Sequence, residues 1–302
     1  MAYTSVLYVV ADQVARVTLH RPDRLNALNN NLWRELRQAL EQAERDDNVR
    51  VVVLKGAGPS FCVGEDMSAE DAEEVSPWDP RRKPHLDDLL AAEERRMNFW
   101  RYLFYYPKDT IAQVHGYCIG FGCNLQMCCG TAIAAEDAVF GDPGVRTGLA
   151  TAMPLWSWRV GPRRAKDLLL TGRYVGAREA ESIGLVTQVV PADKIDDVVN
   201  TWCKALVTTG GLGSVEGRLG GLGGADGSAG WMGTSRQALE ASGLGEAWRL
   251  AAYMRYLSTI QRRGFAPEEF NFWQARDQRG LRAALRERDA AYRPYFPLGL
   301  KD

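Results

Sequence analysis

The sequence lacks the features that mark membrane-spanning, secreted and nucleic-acid-binding proteins. No uncharged apolar stretch approaches the roughly 20 residues that cross a bilayer. The first twenty residues also lack the basic and apolar regions of a signal peptide. Lysine and arginine number 37 against 38 acidic residues, and only seven are lysines, so we expect no basic surface for phosphates. The 302 residues therefore predict a soluble cytoplasmic protein without membrane or nucleic-acid partners.

Paired cysteine motifs are also missing. Four of the six cysteines fall within the apolar stretch YCIGFGCNLQMCCG, and no second Cys-x(2–4)-Cys pair occurs elsewhere. A structural zinc site needs two such pairs, and disulfides are rare in cytosolic chains of this length. We therefore expect no metal site, and we expect the cysteines to be small buried apolar side chains.

The pattern of apolar residues predicts alternating strands and helices. Residues 5–10 and 13–19 are typical of two strands joined at Asp12-Gln13, and a helix capped by one of Asn29 to Asn31 should follow. The apolar run 51–54 predicts a strand that is buried on both faces. Further helices are predicted at 86–106, 165–170 and 177–183, with strands at 111–114, 132–134, 139–140 and 186–190. This order favours a layered α/β fold.

Two regions are expected, with a boundary near 195–230. Residues 1–195 carry the alternating pattern, and residues 196–302 form a C-terminal region that is mostly helical in pattern. Between them, the segment 210–230 holds ten glycines in 21 residues, which predicts a flexible loop or linker. It lacks the lysine and hydroxyl ending of a phosphate-binding loop.

Two glycine-containing turns are the candidates for chemistry. The first, SFCVGEDM at 60–67, follows the buried strand, and the second, HGYCIGFGCN at 115–124, leads from a strand into a helix. Glycines can expose main-chain N–H groups, and a helix N-terminus adds positive dipole character. Two such groups facing one point would stabilise an oxyanion. Each turn taken alone is equally typical of a tight turn in an α/β core.

Together these turns resemble the crotonase superfamily, the enoyl-CoA hydratase/isomerase family. The resemblance covers residues 5–195 and rests also on RPDRLNALN, FGDPGVRTGL and LLLTGRYVGAREAESIGLVTQVVP. It implies a spiral of ββα units, C-terminal helices that build an oligomer, and acyl-CoA thioester substrates. It also implies that the thioester carbonyl lies between the main-chain N–H groups of Glu65 and Phe121. Coenzyme A would then be part of the substrate, with no permanently bound cofactor.

Two residues of this sequence depart from the family pattern at its acid/base positions. Asn124 and Gly144 stand where the family pattern has the glutamates that hold water. Neither residue takes up a proton at neutral pH, so we expect divergent chemistry such as hydrolysis, C–C cleavage, decarboxylation or cyclisation. Asp142 is a substitute acid/base candidate, and Arg146 could hold a substrate carboxylate or pair with Asp142.

The coenzyme A contacts are implied only in outline. The RLNAL loop should border the nucleotide through Arg24, Leu25 and Ala27, and Gly64 and Asp66 of the first turn complete the expected contact. Other pocket candidates are Thr151, Trp156, Trp158 and the carboxylates Glu70, Asp71, Glu73 and Glu74.

Two alternatives stay open. One is ordinary hydration or isomerisation with substitute groups, and the other is a non-catalytic acyl-CoA-binding trimer. By resemblance we expect a homotrimer or a dimer of trimers. Helices at 245–262 and 267–292 would supply the interface, through Trp248, Tyr253, Tyr256, Phe270 and Trp273.

Overall fold

A six-stranded, mainly parallel sheet organises the chain. The computed structural model describes residues 3–68, 86–149, 153–220, 239–261 and 270–296. In chain order the strands are β1 (Val6–Ala11), β2 (Val14–Leu19), β3 (Val51–Gly56), β4 (Asp109–Val114), β5 (Tyr117–Ile119), β6 (Thr131–Ala135), β7 (Val139–Gly141), β8 (Val175–Gly176) and β9 (Gln188–Val190). The large sheet has the order β1-β2-β3-β4-β6-β9, and a small sheet has the order β5-β7-β8. Among the described strands, β1 with β2 and β7 with β8 pair antiparallel, and the other pairs are parallel.

Helices connect the parallel strands and extend the C-terminal part. They are α1 (Asn30–Arg45), α2 (Leu86–Phe104), α3 (Phe121–Cys128), α4 (Leu155–Val160), α5 (Pro162–Thr171), α6 (Ala177–Ser182), α7 (Ile195–Gly220), α8 (Leu244–Gln261), α9 (Phe272–Arg279) and α10 (Leu281–Ala290). The described helices include none with the length and apolar character needed to cross a bilayer.

Local sequence signals account for the first ββα unit. Asp12 and Gln13 both have positive φ, 50° and 63°, as a two-residue hairpin turn with the twist of its strands requires. The side chain of Asn29 accepts a hydrogen bond of 2.9 Å from Leu32 N and so caps α1. Such a cap stabilises a helix by about 1 kcal/mol. The predicted turn and cap are both confirmed.

The buried strand β3 divides the core into two layers. Val52 and Leu54 point into the larger cluster, which includes the apolar face of α1. Val51 and Val53 point to the opposite face, where Val199 of α7 covers them. Successive strand residues face opposite sides, so this run of valines fills both layers. A fully buried side chain of this kind stabilises the fold by about 1.5–3 kcal/mol.

The glycine-rich segment differs from its prediction. α7 continues to Gly220, so the loop expected at 210–230 is wrong for residues 210–220, and residues 221–238 lie outside the described part. Each glycine costs about 1 kcal/mol in a helix, but extending an existing helix adds a hydrogen bond per residue without a new nucleus. α7 is anchored where Ile195, Val199 and Cys203 pack on the sheet. The same packing places the start of the expected C-terminal region against the core.

The C-terminal helices fold back onto the rest of the chain. Trp248 of α8 is fully buried and its ring lies 5.9 Å from that of Phe104 in α2. Its expected place in a subunit interface is therefore wrong, because this ring already packs within its own chain. Tyr253 and Phe270 are exposed.

Candidate active site

The first turn is fixed by hydrogen bonds to the strand beside it. Cys62 N donates to Tyr117 O over 2.9 Å, and Ile119 N donates to Cys62 O over 2.9 Å. Gly64 has a φ of +103°, which side-chain-bearing residues rarely adopt. Burial raises the pKa of the Cys62 thiol to about 12, so this cysteine stays a neutral packing group.

The second turn joins β5 to the N-terminus of α3. Gly120 N donates to Gly141 O over 2.8 Å, and Phe121 is the first residue of the helix. A Cβ atom at Gly122 would lie 2.2 Å from Cys62 O, so only glycine lets the helix approach the first turn this closely. The helix is buried along its length, and among its residues are Cys123, Asn124 and Cys128.

The two turns meet at the residues that the sequence singled out. The position of a Cβ atom at Gly64 lies 3.4 Å from the main-chain nitrogen of Phe121. Within the described part of the chain, neither Glu65 N nor Phe121 N donates a hydrogen bond. The first N–H groups of a helix have no intrahelical acceptor, which explains the free amide at Phe121. The two amides thus belong to turns that contact each other, and the described residues use neither of them.

The ring of Phe121 packs away from this contact into an aromatic cluster. Its centroid lies 5.5 Å from that of Trp100 and 5.9 Å from that of Trp33, both edge to face. Trp33 comes from α1 and Trp100 from α2, so the ring joins these two helices to α3. Edge-to-face aromatic pairs add about 0.5–1.5 kcal/mol each to the effect of burial.

A cavity of about 40 Å³ lies beside α3, and this volume has room for only a few water molecules. The residues that line it are Glu93, Arg96, Met97, Trp100, Phe121, Asn124, Asp142 and Arg255. They come from α2, α3, α8 and the end of β7. The structure therefore brings together three of the predicted site residues, Phe121, Asn124 and Asp142.

Asn124 presents a polar group that the described residues leave unused. Its side chain is buried, and Oδ1 has no hydrogen-bond partner in the described part of the chain. An unpaired buried acceptor costs about 1–3 kcal/mol, so such groups commonly mark a place where a ligand or water binds. The amide can orient a ligand, but it takes up no proton at neutral pH.

Asp142 is a carboxylate at the cavity wall. Gly144 N donates to its Oδ1 over 3.0 Å, and a Cβ atom at Gly144 would meet the same oxygen at 3.0 Å. Gly144 itself does not line the cavity. The carboxylate of Asp142 therefore lies where a larger side chain at position 144 would begin.

Arg146 is held elsewhere. Its Nη1 lies 3.2 Å from Asp289 of α10, and its guanidinium lies 4.2 Å above the ring of Tyr292. The side chain is 3% exposed and does not line the cavity. The structure thus gives Arg146 a pairing role between the short turn at 143–147 and the C-terminal helices, and the paired acid is Asp289.

The RLNAL loop is tied to the first turn by an ion pair. Arg21 Nη1 lies 2.8 Å from Asp66 and also donates to Ala27 O over 2.5 Å. Leu28 N donates to Gly64 O over 2.8 Å. Burial alone would raise the pKa of Asp66, but hydrogen bonds from Ser68 and Arg21 outweigh it and hold this pKa below its usual range.

The remaining coenzyme A candidates lie on the same loop. The side chain of Arg24 is half exposed, and Leu25 has a positive φ of 49° at the end of a short 3-10 turn. The loop therefore stands directly beside the first turn, with Arg24 facing solvent.

Ion pairs at the cavity were not predicted from the sequence. Glu65 Oε1 lies 2.8 Å from Arg96 of α2, and Glu65 Oε2 lies 3.4 Å from Arg255 of α8. Glu93 accepts from Arg96 at the spacing i, i+3. The i, i+3 spacing of this pair is visible in the sequence, but it is also typical of a helix face exposed to solvent. Arg255 carries no motif at all.

Several other candidates lie away from the cavity or beyond the described residues. Trp156 is buried and Trp158 is partly exposed, and neither lines the cavity. Thr151 and the carboxylates Glu70, Asp71, Glu73 and Glu74 lie outside the described residues. Metal-ligating side chains form no cluster of three or more in the part of the chain that the structure describes.

Comparison with known proteins decides the family. A sequence model of the family described as enoyl-CoA hydratase/isomerase matches residues 10–212, more than half of the chain. The chain belongs to the enoyl-CoA hydratase/isomerase family. EchA13 of Mycobacterium tuberculosis is 40% identical over 196 residues, which cover 61% of this chain and 62% of EchA13. The alignment thus spans less than two thirds of that relative's length.

Solved structures confirm the predicted fold of this enoyl-CoA hydratase/isomerase family member. An enoyl-CoA hydratase/isomerase from Xanthobacter autotrophicus Py2 superposes with a TM-score of 0.81 at 29% identity, covering 96% of this chain and 99% of that one. The enoyl-CoA hydratase from M. tuberculosis H37Rv gives 0.64 at 26% identity, covering 85% and 100%. The fold is therefore the crotonase-type ββα spiral with a helical C-terminal region.

Proposed function

We propose that this protein acts on an acyl-CoA thioester and stabilises an enolate or oxyanion with the main-chain N–H groups of Glu65 and Phe121. The observation that supports this is the contact between Gly64 of the first turn and Phe121 N, together with the absence of a hydrogen bond from either amide within the described residues. Removal of a single oxyanion donor typically lowers the rate of an enzyme by about 10²–10³-fold. Two donors that are already in position should therefore contribute strongly to catalysis. Coenzyme A arrives with the substrate, and the RLNAL loop beside the first turn is its proposed contact.

The acid/base chemistry is proposed to diverge from two-glutamate hydration. Asn124 orients a ligand group, Gly144 offers no side chain, and the carboxylate of Asp142 at the cavity wall carries the proton. This set suits a reaction in which one carboxylate is enough after the oxyanion forms. Hydrolysis, C–C cleavage, decarboxylation and cyclisation of the acyl group are the reaction classes that meet this condition.

Ordinary hydration or isomerisation is the second candidate. It is favoured by the presence of two carboxylates, Glu93 and Asp142, in the cavity wall. Two carboxylates could divide the acid and base roles that the two glutamates of the family pattern perform. A non-catalytic acyl-CoA-binding trimer is the remaining alternative, and substitution of Asp142 separates it from both enzymes.

A homotrimer or a dimer of trimers is proposed for the assembly. The exposed face of α8 supports it, because Leu250, Tyr253, Met254 and Leu257 recur at helical spacing and are 41–54% exposed. Large apolar patches on a monomer commonly mark a contact with another protein. Light scattering should give a mass three or six times the chain mass of 33.6 kDa. A monomer at micromolar concentration would contradict this proposal.

The decisive experiment is a panel of acyl-CoA thioesters followed by mass spectrometry. The panel includes crotonyl-CoA together with saturated, branched, cyclic and β-keto acyl groups. We expect a product from a thioester other than crotonyl-CoA, and crotonyl-CoA hydration far below the typical enzyme turnover of about 10 per second. Hydration at that typical rate would refute the divergent chemistry. Binding without turnover of any thioester would favour the non-catalytic alternative.

A further inference from the structure

Four charged side chains beside the first turn form a ring of ion pairs. We name Glu65, Glu93, Arg96 and Arg255 the charge quartet. Arg96 lies 2.8 Å from Glu65 and 2.9 Å from Glu93. Arg255 lies 3.4 Å from Glu65 and 3.8 Å from Glu93. Each carboxylate thus faces both guanidinium groups, and the formal charges balance at two of each sign.

The quartet is largely shielded from solvent. The side chain of Arg255 is 10% exposed and that of Glu93 is 11% exposed, whereas Glu65 and Arg96 are about one third exposed. Charges in such a place interact more strongly than on an open surface, and loss of one partner leaves an uncompensated charge. The balance of the quartet therefore matters more than that of a surface ion pair.

Arg255 contacts both residues whose amides form the proposed oxyanion hole. Its Nη2 approaches the Glu65 carboxylate, and its guanidinium carbon lies 5.8 Å from the centroid of the Phe121 ring. A guanidinium within about 6 Å of an aromatic face is attracted to it. One side chain of α8 thereby links the first turn to the start of α3.

We propose that Arg255 is a positioning residue for the oxyanion hole. It balances the charge of Glu65, because an uncompensated carboxylate in this shielded place would turn toward solvent and displace the main-chain amide of the first turn from that of Phe121. Its charge also offsets the negative charge of Glu65, which would otherwise repel the anion that develops at the thioester oxygen. This inference rests on the proposed function, because it concerns the same two amides.

The charge balance predicts a particular pattern among variants. Arg255→Met leaves the quartet with two carboxylates and one guanidinium, so a negative charge is left beside the hole. Glu65→Gln combined with Arg255→Met restores the balance at one of each sign. A residue that only fastened α8 to α2 would give no such recovery. Arg249→Met is the matched control, since Arg249 is exposed on the same helix and pairs with Glu246.

The experiment measures how strongly the bound thioester carbonyl is polarised. Butyryl-CoA labelled with ¹³C at the thioester carbonyl is bound to each variant, and its carbonyl stretch is recorded by infrared difference spectroscopy. Dissociation constants and melting temperatures are measured alongside. We expect a shift to lower wavenumber in the wild-type protein and in Arg249→Met. Most of this shift should be lost in Arg255→Met and regained in the double variant, while the dissociation constant changes little.

Turnover should follow the same order. With the thioester that the panel identifies, kcat should fall about tenfold in Arg255→Met, equivalent to about 1.4 kcal/mol in the barrier, with KM almost unchanged. An unchanged carbonyl shift in Arg255→Met, or a loss that Glu65→Gln does not reverse, would overturn the inference alone. If the wild-type protein bound no thioester, the proposed function would fail and the inference with it.

Discussion

The two turns of the proposed hole share backbone contacts but differ in the charged side chains around them. The second turn is fixed by close backbone packing, with Gly122 against Cys62 and Gly120 bonded to Gly141, and no charged side chain takes part in these contacts. The first turn takes part in the same backbone packing through Cys62, and it also bears two acids. Glu65 pairs with Arg96 and Arg255, and Asp66 pairs with Arg21. Backbone packing therefore holds both turns, and ion pairs add to it at the first turn.

This difference separates the perturbations that should affect each turn. An added side-chain atom should disturb the backbone packing of the second turn. Loss of a charged partner, or a change of pH, should disturb the first turn. Variants on the two sides can therefore test whether each donor depends on its own kind of support.

Gly122→Ala should have the largest effect. Its Cβ atom would lie 2.2 Å from Cys62 O, so the helix and the first turn must move apart. We expect a loss of about 3 kcal/mol in the free energy of unfolding, the upper part of the range for overpacking. Thioester turnover should be lost as well. Gly176→Ala is the control, because no atom lies within 4 Å of its Cβ position and its φ of −77° is ordinary. Equal unfolding curves for the two variants would refute the account of the second turn.

Asp142→Asn should come next, and it acts on chemistry more than on folding. Loss of the proposed proton-carrying group should lower kcat by about 10²–10⁴, the usual contribution of an acid/base group. The amide can still accept the hydrogen bond from Gly144, so the melting temperature should stay close to the wild-type value. Asp137→Asn, at an exposed position nearby, should leave kcat unchanged. A fully active Asp142→Asn enzyme would remove Asp142 from the mechanism.

Alkaline pH should destabilise the core around the first turn and the end of α3, where thiols are buried. Burial raises the pKa of Cys62 and of Cys129 to about 12. An unfolded thiol titrates near about 8.5, so these groups do not affect stability below that pH. Between about pH 8.5 and pH 12 only the unfolded state loses the protons, and the free energy of unfolding should fall.

Denaturant unfolding at several pH values between 8 and 11 measures this slope. Cys129→Ala removes one such thiol and should make the slope shallower, at the cost of a smaller side chain in the core. A slope that is identical in the wild-type protein and in the variant would contradict the role assigned to the buried thiol.

Asp66→Asn should have the smallest effect, and at the opposite end of the pH scale. The pKa of Asp66 is lowered, so its pair with Arg21 stabilises the fold above the unfolded pKa of about 3.9 and loses this effect as pH falls. We expect Asp66→Asn to cost about 1 kcal/mol at pH 7, a typical value for one hydrogen-bonded contact. The difference from the wild-type protein should shrink as the pH falls below about 3.9. A difference that persists there would show that the ion pair is not its cause.

Much of the core could be predicted because its signals are local. The hairpin at Asp12-Gln13, the cap at Asn29 and the buried run 51–54 each follow from a few neighbouring residues. The glycine turns were also visible, since a close approach of two backbones needs glycine at particular positions. The fold was accordingly accessible from the sequence, as was the contact between the two glycine turns.

The charge quartet could not be predicted, because its members are distant in sequence and their residue types are common on surfaces. Glu65 and Arg255 are separated by 190 positions. The ion pair of Arg146 could not be predicted for the same reason, since its partner Asp289 lies far along the chain on α10. The helix through the glycine-rich segment was missed because composition alone does not reveal an anchor such as Val199 on the sheet.

A crystal structure of the wild-type protein with bound butyryl-CoA tests the central claim most directly. The account predicts that the thioester oxygen lies about 2.7–3.1 Å from the main-chain nitrogens of both Glu65 and Phe121. A complex in which this oxygen contacts neither nitrogen, or only one of them, would contradict the account.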